Sequence, residues 1–127
     1  MSIPRDVFGL AATGLDSETI LMVGPESGVL RSEDDGRSFE RAFEAPSGAV
    51  AVDRGSPDVV WVLTAAGLAR SDDAGGTWEI RSTLDGVGGQ PVTLAADGDE
   101  LWLVTEEPRV LYHSEDSGGS WRMAGGT

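Results

Sequence analysis

Apolar residues in this chain come in short runs closed by Gly, Pro, Asp or Ser, and the runs recur three times in the same order. The first kind is rich in small side chains: Leu10-Ala11-Ala12, Val50-Ala51-Val52 and Leu94-Ala95-Ala96. The second is bulkier: Ile20-Leu21-Met22-Val23, Val60-Trp61-Val62-Leu63 and Leu101-Trp102-Leu103-Val104. A third follows at Val29-Leu30-Arg31, Leu68-Ala69-Arg70 and Leu111-Tyr112-His113, and a fourth begins at Phe39, Trp78 and Trp121. Runs this short, bounded by turn formers, predict strands. No window carries a sustained 3.6-residue apolar period with caps, so no helix is expected.

Between the third and fourth runs stands one phrase, Ser-x-Asp-x-Gly-x-(Ser/Thr)-(Trp/Phe). Its copies are built on Ser32, Asp34, Gly36 and Phe39, on Ser71, Asp73, Gly75 and Trp78, and on Ser114, Asp116, Gly118 and Trp121. They lie 39 and 43 residues apart, the period of a repeat architecture. Ser and Asp can bond to nearby backbone N–H groups, and Gly supplies the φ > 0 position of a tight turn. The closing ring offers a large apolar area to fill the space between neighbouring units. Four strands per unit of about 40 residues match the blade of a β-propeller. The expected fold is therefore all-β, with three four-stranded antiparallel blades spanning approximately residues 6–45, 46–87 and 88–125. Small residues suit the crowded innermost strand, and the bulkier second run suits a strand covered on both faces.

The octapeptide resembles the Asp-box, the repeat of bacterial neuraminidases. That repeat also occurs in sortilin-type receptors, xyloglucan-cleaving glycosidases and photosystem II assembly factors. All three copies match at the Ser, Asp, Gly and aromatic positions. The resemblance implies a propeller in which the box is a structural turn remote from the catalytic face. A sialidase of this family would need an arginine triad, a Tyr nucleophile with a Glu partner, and an Asp acid/base. Here Ile3-Pro4-Arg5 departs from the family's Arg-Ile-Pro order, and the only tyrosine, Tyr112, falls in a third strand, where a packing role is expected. Sialidase chemistry is not expected of this chain alone.

Composition narrows the partners. The 127 residues carry a net charge of −13, with 22 acidic side chains against nine arginines and no lysine. Without a basic patch, neither nucleic acid nor an anionic membrane surface is an expected partner. Cysteine is absent, which removes disulfides and thiolate–metal chemistry. Residues 1–6 lack the basic start and apolar core of a signal peptide. No apolar stretch reaches the ~20 residues of a membrane span; a cytoplasmic location is the default expectation and the compartment stays open. His113 occupies the position of Arg31 and Arg70, which reads as a polar-tipped strand surface rather than a catalytic group or ligand. One histidine and no Gly-x-Ser-x-Gly phrase leave no serine nucleophile. The acid runs Glu33-Asp34-Asp35 and Asp72-Asp73 lack the alternation and terminal Glu of an EF-hand loop. Neither a metal nor another cofactor is expected.

Alternating strand direction puts the octapeptides, with the loops joining first and second strands, on one face of the blades. Propeller ligands are expected on the other face, over the axis. The candidate binding residues there are Glu26, Asp85, Gln90, Glu106, Glu107 and Arg109. They are mostly acceptors, with Arg109 and the Gln90 amide as donors, which suits sugar hydroxyls or a basic peptide. The expected function is a non-catalytic propeller module for protein, peptide or glycan binding and for assembly. One alternative is a glycoside hydrolase-like propeller acting through loop carboxylates; another is a repeat fragment or engineered scaffold without selected activity. Three blades are fewer than the four to eight that close a ring. The expected partner is therefore the chain itself, as a homodimer closing a six-bladed ring, or the missing blades of a longer parent.

Overall fold

A computed structural model describes residues 9–13, 19–24, 28–43, 47–56, 58–64, 66–84, 87–88, 90–106 and 109–126. They form twelve strands and, among the described residues, no helix. The strands of the first sheet are β1 (Gly9–Thr13), β2 (Thr19–Gly24), β3 (Gly28–Ser32) and β4 (Glu40–Phe43). The second holds β5 (Ser47–Val52), β6 (Val60–Thr64), β7 (Gly67–Ser71) and β8 (Glu79–Ser82). The third holds β9 (Gln90–Asp97), β10 (Glu100–Glu106), β11 (Val110–Ser114) and β12 (Arg122–Gly126). Each sheet is antiparallel with its strands in chain order. This is the expected all-β architecture: three blades of a partial propeller.

The first strands converge: β1 lies against β5, and β5 against β9. The second strands follow as expected, and β6 is buried along its whole length. Each fourth strand starts one residue after the octapeptide's aromatic, at Glu40, Glu79 and Arg122, so the ring closes the turn rather than opening the strand. Its pairing with the third strand slips at the same place in every blade: Val29/Leu30, Leu68/Ala69 and Leu111/Tyr112. Such irregularities bend a strand and re-aim its side chains.

Cross-strand partners share a face of the sheet, and this sorts each blade into a front, toward the next blade, and a back. Leu21, Val23 and Val29 on the front of blade one pack against Val60 and Val62 on the back of blade two. The front of blade two, with Trp61, Leu63 and Leu68, packs against Leu101, Leu103, Val110 and Tyr112 on the back of blade three. The core is thus two seams between blades, not a centre within any one of them. Tyr112 belongs to the second seam, where its hydroxyl accepts the Gly88 N–H at 3.0 Å. A sheet with both faces apolar is stable only when both are covered. No described helix is long and apolar enough to cross a membrane.

Candidate functional site

The three octapeptide turns share one hydrogen-bond pattern. In the second, the buried Ser71 Oγ donates to Asp73 Oδ1 at 2.7 Å and accepts the Gly75 N–H at 2.8 Å. Asp73 Oδ1 also accepts the Thr77 N–H, and Oδ2 accepts the Thr77 hydroxyl, each at 2.8 Å. Ser32, Asp34, Gly36 and Ser38 repeat this, as do Ser114, Asp116, Gly118 and Ser120. Charge-assisted bonds of this kind favour the ionised carboxyl. The Ser38 hydroxyl, with the Ser38 N–H and Ser32, lowers Asp34 from 3.8 to about 2. The Thr77 N–H leads in lowering Asp73 to about 2 against a partial burial penalty, and the Ser120 hydroxyl leads in lowering Asp116. The glycine has positive φ in all three copies, and so does the residue before it: Asp35 at 64°, Ala74 at 58° and Ser117 at 57°.

These turns also clamp neighbouring blades. Arg31 Nε donates to the Ala74 carbonyl at 3.0 Å. A Cβ on Gly75 would stand 2.7 Å from Leu21 Cδ2. Trp78 stacks on Phe43 with centroids 6.0 Å apart. At the next seam Ser82 Oγ donates to the Gly118 carbonyl at 2.7 Å and receives Trp121 Nε1–H at 3.3 Å. The aromatics do sit between blades, though both Trp78 and Trp121 are only half-buried.

On the opposite face, three of the six candidate binding residues come together. Gln90 opens β9 and is the register partner of Glu106 at the end of β10. Glu106 Oε1 lies 3.6 Å from Arg109 Nη2, and both side chains are exposed. Glu26, Asp85 and Glu107 lie outside the described residues.

Among the described residues, two clefts lie beside the turns. One, of about 560 Å³, runs between the first and second turns, with Arg31, Asp34, Glu40 and Gly76 in its wall. The other, of about 440 Å³, is lined by His113, Glu115, Ser120 and Arg122 beside the third turn. There His113 stacks on Trp102 with ring centroids 5.0 Å apart. Its Nε2 lies 3.3 Å from Glu100 Oε1. Glu100, His113 and Glu115 bring potential ligand atoms within 4.8 Å of one another. Arg122, however, holds Glu115 at 2.8 Å and so places its own cation in the cluster. The equivalent positions of the first two blades hold simple ion pairs, Arg31 with Glu33 and Arg70 with Asp72. His113 is thus a covered ring, its side chain 12% exposed, where a polar-tipped surface position was expected. Sequence reasoning missed Trp102, Glu100 and Glu115 as its neighbours; their signal was the cross-strand register, with Trp102 opposite His113.

Comparison with known proteins gives the class of this fold. No family model matches the chain, and no curated protein matches it. Its solved structural neighbours are β-propeller proteins. YCF48 from Cyanidioschyzon merolae superposes with a TM-score of 0.78 at 25% identity, over 96% of this chain and 38% of that one. YCF48 bound to D1 peptide gives 0.76 at 16% identity, over 93% and 40%. The GH74 enzyme of Niastella koreensis gives 0.71 at 21% identity, over 95% and 18%. The chain therefore spans about two fifths of the YCF48 chains it matches, as a partial propeller.

Proposed function

We propose that this chain is a non-catalytic recognition module, a section of a β-propeller that binds a protein or peptide through the loops opposite its octapeptide turns. One observation carries the reading: Gln90, Glu106 and Arg109 gather at that end of blade three, within reach of the axis strand β9. An exposed carboxylate beside an exposed guanidinium can engage the donors and acceptors of an extended peptide together. The peptide-bound YCF48 structure supports the same ligand class by analogy of fold. On this reading the octapeptides are Asp-boxes, structural turns that leave the opposite face free for ligands. The blades divide near residues 6–45, 46–87 and 88–125, and the ring closes with a second copy or with further blades of a longer parent.

The rival is a glycosidase, favoured by the GH74 neighbours. A glycan array run beside a library of basic peptides and a panel of chromogenic glycosides separates the two. Retention without turnover is expected, with peptides retained best; turnover would replace the module by the enzyme. Glu106→Ala combined with Arg109→Ala should weaken retention at least tenfold while the far-ultraviolet spectrum stays unchanged. Unaltered affinity in that double variant would overturn the assignment of the loop.

A further inference from the structure

Equivalent positions compared across the blades point to a joint that is half built on the front of blade three and on the back of blade one. On the front faces, Leu21 and Trp61 are fully buried, as are Val29 and Leu68, and Val23 and Leu63 are buried too. Their counterparts in blade three are not: Trp102 and Val104 are half-buried and Leu111 is 36% exposed. The position that meets the next blade's aromatic is Phe43 in blade one and Ser82 in blade two, opposite Val29 and Leu68. In blade three it is Gly125, opposite Leu111. The front of blade three therefore has the apolar floor of a blade seam and, at Gly125, no side chain where an aromatic ring would seat.

The complementary part is at the other end. On the back of blade one, Ile20 and Gly36 are half-buried. Their counterparts Val60 and Leu101 are fully buried, as Gly75 and Gly118 are buried, because each meets a preceding blade. Among the described residues, no front face lies against the first octapeptide's left-handed glycine and its ring, Phe39. Met22 and Leu30 beside it are already buried, so the contact is made at the turn end of the blade, by Ile20, Gly36 and Phe39.

We infer that a second copy of this chain docks head to tail, its first octapeptide turn seated on Trp102, Leu111 and Gly125. The inference rests on the propeller-module reading and deepens its assembly part. It continues the two seams already present: Phe39 takes the place of Trp78 and Trp121, and His113 with its register partner Arg122 takes the donor place of Arg31. Such a contact is heterologous, and it closes only if the second joint of the same two chains forms as well.

Sedimentation velocity of the whole chain tests this. The wild type should sediment with the mass of two chains. Leu111→Glu, at an exposed socket position, and Phe39→Glu, in the turn, should each give single chains. An equimolar mixture of the two should recover the two-chain mass, because one of its two joints then has an intact socket and an intact turn. Gly125→Trp, which fills the socket, and Phe39→Ser serve as second variants should either charge change unfold its blade. A wild type that sediments as one chain, a variant that stays paired, or a mixture that stays single overturns the inference. Peptide retention measured on the Leu111→Glu single chain reports on the binding loops separately, so loss of the joint and loss of the binding function are told apart.

Discussion

Blades two and three are built from nearly the same plan, yet their second strands differ. Strand β6 is buried at every position, whereas β10 alternates, burying Leu101, Leu103 and Thr105 and leaving Trp102 and Val104 half-covered. Trp61 and Trp102 occupy the same position; the first is fully buried with the Arg70 guanidinium 5.5 Å from its ring centroid, the second is half-buried with His113 stacked on it. The difference lies in what covers the front face, not in the residue. A blade here is half of two contacts, and its stability is borrowed from its neighbours in the manner of repeat proteins.

The largest effect should come from that pair of tryptophans. Trp61→Ala opens a cavity in a sealed seam and should destabilise the fold by about 3–5 kcal/mol. Trp102→Ala loses a ring already half in water, and about 1–2 kcal/mol is expected. Urea denaturation of both variants at a concentration where the chain is single decides the point. Equal losses would mean that the two front faces are equally covered. At concentrations where chains pair, the gap should narrow, because the proposed joint covers Trp102.

A second contrast compares the glycines of the first two turns, which have almost the same φ, 90° and 91°. An Ala at Gly75 would meet both the left-handed strain and Leu21 Cδ2 at 2.7 Å, and should lose about 2–4 kcal/mol. Among the described residues, an Ala at Gly36 meets only Ile20 Cδ1 at 3.5 Å, so backbone strain of about 1–2 kcal/mol remains. Thermal melts of the two variants would sink the contrast if Gly36→Ala proved as damaging as Gly75→Ala.

Much of this was legible in the chain itself, because the repeat aligns three imperfect copies and errors in one are corrected by the others. Ala, β-branched and aromatic runs marked twelve strands, and the octapeptides marked where third strands turn into fourth. Less legible was anything set by register. That Trp102 faces His113, or that Glu100 and Glu115 flank it, depends on which residues oppose each other across β10 and β11. With 22 acidic residues available, composition could not single out those two. The paired left-handed residues were half legible: the glycine announced itself, but Asp35, Ala74 and Ser117 carry no common side chain.

The aspartates of the turns supply the smallest and most evenly shared effect, because the hydrogen bonds they accept lie within one blade rather than between two. Asp34 and Asp73 ionise near 2 in the folded chain against 3.8 ordinarily, and Asp116 is lowered in the same sense. A carboxyl whose folded value is depressed stabilises the fold above its unfolded value and loses that contribution as pH falls toward the folded one. Stability measured in urea should therefore be flat from pH 7 to about 5 and decline between about pH 4 and 2. Asp73→Asn keeps an oxygen for the Thr77 N–H but cannot ionise, so it should shallow that decline without abolishing it. Asp34→Asn and Asp116→Asn should do the same to a similar degree, in contrast to the unequal tryptophans. A decline left unchanged by all three substitutions would mean that other carboxyls govern acid unfolding and that the turns are not its seat.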